Sequence, residues 1–286
     1  MLIDLQLHST YSDGYLTPTE LARFIAEQGV KIAALTDHNT VGGLDEFRQA
    51  CRACKIKPIT GVELYVKLRG RRINLLWFNF DDTDPELHKI LRNSQIRRRN
   101  KARKALINLV KIGFKIKVEK ILDKYTHYIP VNRMADEIWV LPANRAKIKR
   151  ELENKNPTEN EIIGEYFYNK KIGKLHESYV SIERILKLRR RIGGQLILNH
   201  PGKHNQLDKE LLEKLKKMGI DGLEIFSPHH SVGSVMYAQF MANQLDFIAT
   251  GGSDFHRHER GAVKIKNCYD YFKVDSKYLR RINEII

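Results

Sequence analysis

Short apolar runs, each long enough for one β-strand, alternate with amphipathic stretches over both ends of this chain. The runs lie at 2–7, 31–36, 57–66, 71–78, 194–198, 222–226 and 247–250. Such alternation is typical of a parallel sheet or barrel, which presents its functional groups at the carboxyl ends of the strands. We therefore predict an α/β fold with its site at one end of the strands.

The stretches between these runs predict helices. They cover 17–28, 44–53, 182–192, 207–218, 232–243 and 278–285. The first begins with Thr17, Pro18 and Glu20, the pattern of a capping box that starts a helix. Between the third and fourth apolar runs, Arg69-Gly70 indicates a hairpin.

Histidine, aspartate or glutamate follows the apolar runs at five separate points. These residues are His8 with Asp13, then His38, Glu63, His200, and Asp254 with His256. Imidazole and carboxylate ligands together suit zinc, manganese or iron better than calcium. Taken alone, His38 or His200 is more typical of a structural histidine. Taken together at strand ends, the five points predict a centre of divalent metal ions that activates water for hydrolysis of a phosphate ester.

The residues around these points carry a family resemblance. The segments 4–14, 36–41, 61–63, 199–202 and 252–256 resemble, in order, the motifs of the polymerase and histidinol phosphatase (PHP) superfamily. The resemblance covers 1–94 and 180–262. It implies a distorted (β/α)7 barrel formed by 1–94 and 179–286, with a basic, mainly helical insertion at 95–178. That insertion resembles, more loosely, the branch that acts on nucleoside 3′,5′-bisphosphates and RNA 5′ ends.

The resemblance also implies the ligands of one to three ions. The first ion would use position 6 with His8, Glu63 and Asp254, the second Glu63 with position 74 and His200, and the third Asp13 with His38 and His256. Two positions depart from the family, which usually has histidine where Gln6 and Asn74 stand. Because an amide oxygen is a weaker donor than an imidazole, we expect the first two ions to bind less tightly than the third.

Positive charge is concentrated in the middle of the chain. The whole chain has 50 Lys and Arg against 34 Asp and Glu, a net charge of +16, and residues 95–178 alone hold 20 against 10. No acidic residue lies between Glu86 and Glu119. Such a field attracts phosphate-rich partners, including nucleic acid. A solvated helical surface would have the same composition, and the two interpretations are evenly balanced.

Cysteine content and hydropathy set the expected surroundings. Three cysteines argue against a disulfide framework or a disulfide-linked partner and suit a reducing cytoplasm. Cys51-x-x-Cys54 lies in a predicted helix, so we expect it to pack there rather than to bind metal. No apolar run approaches the roughly 18 residues needed to cross a bilayer. The chain starts directly with a strand-like run, so we expect neither a signal peptide nor a membrane partner.

Four further residues are candidates for contacts with substrate. Arg133 lies near the position of a phosphate-binding arginine in the family's insertion, and Lys203 follows the motif that contains His200. His229 and His230 follow the apolar run at 222–226. A structural or surface role is as good a prediction for each of them.

Three functions are compatible with these features. The first is a metal-dependent phosphoesterase acting on nucleotides or on RNA or DNA ends, with a phosphate-containing substrate as its partner. The second is a phosphatase of a small phosphorylated metabolite, such as histidinol phosphate, and the third is a non-catalytic nucleic-acid-binding protein with a degenerate metal site. The basic middle favours the first over the second. Gln6 and Asn74 favour the third, but the other expected ligands are present, and we therefore predict a phosphoric ester hydrolase.

Overall fold

The computed structural model describes residues 1–204, 206–257 and 274–286. The chain divides into two compact units: Met1–Lys89 with Tyr179–Ile286, here the barrel unit, and Ile90–Ser178, here the insertion unit. The predicted insertion, 95–178, lies wholly within the second of these. Residues 258–262, at the end of the segment that carries the resemblance, lie outside the described residues.

Nine strands form one sheet within the described residues. They are β1 (Leu2–Leu7), β2 (Ile32–Leu35), β3 (Lys57–Leu68), β4 (Arg71–Phe78), β5 (Val180–Ser181), β6 (Gln195–Leu198), β7 (Gly222–Phe226), β8 (Ile248–Gly251) and β9 (Val274–Asp275). All seven apolar runs are therefore strands, as predicted, with ends shifted by one or two residues.

The sheet curves into a nearly closed barrel. Its strand order is β8-β7-β6-β4-β3-β2-β1-β9, with β5 beside β3. A parallel bridge between Leu7 and Phe255 joins the end of β1 to the segment after β8. Strand β4 runs antiparallel to both β3 and β6, because β3 and β4 form the predicted hairpin. Strand β9 also pairs antiparallel, with β1, so β4 and β9 are the two antiparallel strands of a sheet whose other pairings are parallel.

Ten α-helices occur in the described residues. They are α1 (Pro18–Glu27), α2 (Leu44–Ala53), α3 (Pro85–Lys111), α4 (Val118–Leu122), α5 (Val131–Trp139), α6 (Pro142–Glu151), α7 (Glu159–Ile162), α8 (Ile182–Ile192), α9 (Lys209–Met218) and α10 (Val232–Gln244), and a π-helical segment, Ile163–Tyr168, follows α7. The capping box of Thr17 and Glu20 is confirmed. The prediction of a closing helix at 278–285 is wrong. The chain there forms two 3₁₀ turns, because Arg281 has a left-handed backbone conformation that interrupts a helix.

Helices α1 and α2 pack on the barrel through an apolar cluster. Leu21, Ile25 and Phe47 are fully buried there, and Cys51 of α2 lies beside them. Burial raises the pKa of the Cys51 thiol to about 12, so this thiol stays protonated and unreactive at neutral pH. Cys51 and Cys54 are free. Cys51 packs within α2, as predicted, and Cys54 follows directly after the helix and packs against the same cluster.

The insertion unit has its own core and uses part of its positive charge internally. Leu106, Phe114 and Ile138 belong to that core. Arg98 is only 1% exposed and pairs with Glu177 at 2.9 Å. Other arginines of α3 are also engaged in ion pairs, Arg99 with Asp123 and Arg103 with Glu119. The basic run in α3 is therefore partly structural, and not all of it is available for phosphate. Within the described ranges, the helices are too short or too polar to cross a bilayer.

Candidate metal centre

The predicted ligands meet at the carboxyl ends of the barrel strands. His8 follows β1, His38 follows β2, Glu63 lies in β3, His200 follows β6, and Asp254 and His256 follow β8. The strand ends bring these side chains together because neighbouring parallel strands end at the same edge of the sheet. His200 and Asp254 have positive φ angles, 25° and 49°, a strained conformation that is common at functional sites.

Asp13 is the centre of one group of possible ligands. Its two carboxylate oxygens lie 3.3 Å from Nε2 of His38 and 3.2 Å from Nε2 of His256. One ligand atom from each of these three residues and from His8 lies within 4.8 Å of the others, close enough to hold one ion. The structure therefore brings together the three residues of the third predicted ion.

Glu63 is the centre of a second group. His8 Nε2 lies 3.3 Å from a Glu63 oxygen and 3.1 Å from an Asp254 oxygen, and these three residues can also hold an ion. His200 Nε2 lies 3.5 Å from the other Glu63 oxygen. The fully buried Glu63 carboxylate therefore faces ligands of both the first and the second predicted ions.

Buried polar atoms that form no hydrogen bond indicate that the centre suits a metal ion. Both ring nitrogens of His8, Oδ1 of Asp254 and Oε1 of Gln6 are buried and form no hydrogen bond. Nε2 of His8 and Oδ1 of Asp254 lie 3.1 Å apart without the geometry of a hydrogen bond. This arrangement fits two ligand atoms that face the same metal ion. Because an unpaired buried polar atom costs free energy, such a cluster is expected where a cation binds. The residues present fit a divalent metal.

Opposite charges in the centre outweigh the cost of burying them. Burial opposes protonation of His8, but carboxylates, Asp254 foremost, raise the pKa of its imidazole well above the ordinary value. Burial likewise opposes ionisation of Asp13, but His38 and His256 hold the pKa of that carboxyl well below its usual range. Without metal, the centre therefore combines ionised carboxylates with protonated imidazole.

The two amides that replace family histidines lie inside the centre. Gln6 Nε2 donates to one Glu63 oxygen at 3.3 Å, and Asn74 Nδ2 donates to the other at 2.8 Å. Both amides are buried. Their hydrogen bonds use both oxygens of Glu63, the carboxylate expected to contribute to the first two ions. An ion that binds to Glu63 therefore has to displace these hydrogen bonds.

Replacing Gln6 with histidine should increase the metal bound by the purified protein. An imidazole at this buried position would add a stronger donor beside Glu63 and remove one amide hydrogen bond from it. Elemental analysis after loading with Mn²⁺ measures the change. Gln244→His, on the exposed end of α10, is the matched control and should leave metal content unchanged. Equal metal content in Gln6→His and the unaltered protein would contradict the assignment of position 6 to the centre.

Two aspartates that the motifs contain, but that sequence reasoning did not single out, fix the ligand loops. Asp37 accepts hydrogen bonds from Ser9 and from the Ser12 hydroxyl, the latter at 2.5 Å. A β-carbon at Gly14 would lie 2.2 Å from the carbonyl oxygen of His8, so only glycine allows this loop to close. As Asp37 does for the loop after β1, Asp4 holds the loop after β8 through hydrogen bonds.

Asp4 accepts hydrogen bonds from the amide and the hydroxyl of Ser253, the latter at 2.6 Å. Asp4 also accepts a hydrogen bond from the backbone N–H of Gln6. Asp4 could have been recognised in the sequence as a charged residue within an apolar strand run, and Glu224 in β7 is a second such residue. The buried Glu224 carboxylate accepts the backbone N–H of His200 at 2.9 Å and so holds that histidine's strained backbone.

The four candidate substrate residues have different surroundings. Lys203 Nζ lies 3.1 Å from His229 Nε2, which in turn lies 2.6 Å from Asp254, so both reach the rim of the centre. His230 has a structural position, because Nδ1 donates to the Ile225 carbonyl at 2.8 Å and Nε2 accepts from Gly202. Arg133 lies in α5 of the insertion unit and remains a prediction.

A nearly closed α/β barrel with histidines and carboxylates at its strand ends defines the class of metal-dependent hydrolases. The model of the PHP domain matches residues 4–279, and the chain belongs to this family. A 5′-3′ exoribonuclease of Haemophilus influenzae is 30% identical over 256 residues, 88% of this chain and 89% of that protein. A 3′,5′-nucleoside bisphosphate phosphatase of Chromobacterium violaceum is 26% identical and covers 94% of this chain, with 92% of its own length matched.

A solved structure supports the same fold. An amidohydrolase from Chromobacterium violaceum, with bound sulfate and no metal, matches with a TM-score of 0.75 and 26% identity. The match covers 89% of this chain and 87% of that one. The predicted family, the barrel fold and the predicted enzyme class, a phosphoric ester hydrolase, are confirmed.

Proposed function

We propose that this chain is a metal-dependent phosphoesterase that hydrolyses phosphate esters of nucleotides or of RNA or DNA ends. The observation that carries this proposal is the convergence on one centre of seven imidazole and carboxylate residues, six from the loops that follow β1, β2, β6 and β8 and one, Glu63, from within β3. We infer one to three ions of manganese, zinc or iron, because mixed imidazole and carboxylate ligands suit these metals.

The ring of His8 supports a division of the ligands between two groups. Its Nε2 faces Glu63 and Asp254, whereas its Nδ1 lies 3.6 Å from Asp13. We assign His8 through Nε2 to the Glu63 group, which leaves Asp13, His38 and His256 to hold the third predicted ion. Metal bound in these groups would polarise a phosphoryl oxygen and supply a water of lowered pKa.

The chain's own residues would orient the phosphate. Lys203 is exposed at the rim, beside His229, and its ammonium group can pair with a phosphate oxygen as the ester approaches the centre. Asp254 holds His229 in place through their 2.6 Å contact. Substrates with more than one phosphate suit the net charge of +16, because a more highly charged anion is attracted more strongly to a positive chain.

Metal binding should release protons from the imidazole ligands. The pKa of His256 is raised: burial opposes protonation, but the charge of Asp13 outweighs it, as carboxylates do for His8. A raised pKa means that these imidazoles hold protons more tightly than a free imidazole does and have to lose them to bind metal, so affinity should fall as pH falls. Calorimetric titration with Mn²⁺ in two buffers of different ionisation heats measures the release. Identical heats in both buffers would contradict it.

A substrate comparison tests the proposed function. Phosphate release is measured in Mn²⁺ from a nucleoside 3′,5′-bisphosphate, a 5′-phosphorylated oligonucleotide and histidinol phosphate. We expect hydrolysis of the first two, loss of activity with a chelator, and slower turnover of the oligonucleotide at low substrate as salt rises. Hydrolysis of histidinol phosphate alone, independent of salt, would instead identify a metabolite phosphatase.

One observation favours a non-catalytic alternative. Gln6 and Asn74 both bind the Glu63 carboxylate through hydrogen bonds that an ion would have to break. Oligonucleotide binding that weakens with salt, without turnover in any of the three metals, would support this alternative. The cytoplasmic location remains a prediction from the cysteine content.

A further inference from the structure

The insertion unit contains an apolar groove that the proposed chemistry does not use. The groove has a volume of about 660 Å³ and lies between the end of α3, helix α4 and the turn that joins α5 to α6. Its apolar lining includes Val110, Ile116, Ile121, Val140 and Leu141. Val140 is 64% exposed, and Val110 and Leu141 are also exposed, so this surface faces solvent rather than the core.

Lysines surround this apolar lining. Lys115, Lys117, Lys120 and Lys124 are all exposed and line the groove. Lys124 pairs with Glu137 at 2.5 Å, and Glu137 is the one acidic residue of the lining. Within the part of the chain that the structure describes, the other three lysines form no ion pair. The groove thus combines unpaired positive charge with an aliphatic floor.

We propose that this groove binds an acidic peptide segment of another protein, with apolar side chains in the groove and carboxylates against the lysines. The aliphatic floor matches leucine-like side chains, and the lysine rim matches the charge of such a segment. Single-stranded nucleic acid fits less well, because it binds through stacking on exposed aromatic rings. The aromatic ring of the lining, Phe114, is only 2% exposed.

Fluorescence anisotropy with the full chain tests this proposal. The probe is a labelled peptide in which aspartates alternate with leucine and phenylalanine. Lys117→Glu/Lys120→Glu and, separately, the uncharged polar substitution Val140→Asn should each weaken its binding by about tenfold or more, because the first change removes the charge recognition and the second removes the apolar contact. Lys170→Glu/Lys171→Glu is the matched control, since it makes the same charge change at exposed positions of the same unit away from the groove. It should leave binding within about twofold.

Three outcomes would overturn the proposal. Equal weakening by the groove and control double variants would mean that only the overall charge attracts the peptide. Equal binding of a peptide with serine in place of leucine and phenylalanine would mean that the apolar floor is not used. Tighter, groove-dependent binding of an oligothymidylate than of the acidic peptide would assign the groove to nucleic acid. Thermal unfolding of each variant verifies that the exposed substitutions leave the fold intact.

Discussion

Replacing Asp13 with alanine should reduce phosphoesterase turnover by more than about 100-fold, since even residues that only support metal ligands can cost 10- to 100-fold. The carboxylate faces His38 and His256 at 3.3 and 3.2 Å, and without it two imidazoles remain for the ion. His256→Ala should have the same effect. Initial rates in Mn²⁺ with a nucleoside 3′,5′-bisphosphate measure the loss.

Asp45→Ala is the matched control for this change. The Asp45 side chain is 97% exposed and pairs only at the surface, with Arg48. The Asp45→Ala protein should keep full turnover, and thermal unfolding should show that the Asp13→Ala protein is folded. Full turnover in a folded Asp13→Ala protein would show that the Asp13 group takes no part in the reaction.

Replacing Glu63 with glutamine should also cost more than about 100-fold in turnover, and it should remove metal as well. The carboxylate faces His8 and His200 on its two oxygens, so it is the group best placed to bridge two ions. Glutamine keeps the shape and one acceptor oxygen but loses the charge. Elemental analysis and initial rates, taken together, separate lost metal from lost chemistry.

Glu213→Gln on α9, at a partly exposed position, is the isosteric control and should change neither measurement. Unchanged metal content in Glu63→Gln would mean that the ions are held by the Asp13 group alone. Unchanged turnover in Glu63→Gln would show that the Glu63 carboxylate is not needed for the reaction.

Local patterns were enough to predict most of the barrel. Each apolar run is a strand, and the barrel brings His8 and His200, which follow their strands, together with Glu63, which lies within β3. The hairpin at Arg69-Gly70 could be predicted from the sequence. The position of its second strand, antiparallel between β3 and β6, could not, because it depends on long-range pairing that periodicity does not encode.

The sequence was less informative about residues whose role is to hold others. Asp4, Asp37 and Glu224 support the ligand loops through hydrogen bonds across 24 to 249 residues of sequence, so their partners appear only in the folded chain. The basic run in α3 was equally ambiguous. Arg98 proved to be buried against Glu177 because a long side chain on an apparently polar helix can turn into a core.

Anomalous X-ray scattering from Mn²⁺-loaded crystals tests the central claim most directly. We predict a peak within about 2.0–2.3 Å of Asp13, His38 and His256, with any weaker peak beside Glu63. Manganese at the barrel's strand ends, held by these side chains, would establish the centre. If these ligands showed no manganese peak in crystals that hold the ion elsewhere, the metal-dependent mechanism would be contradicted.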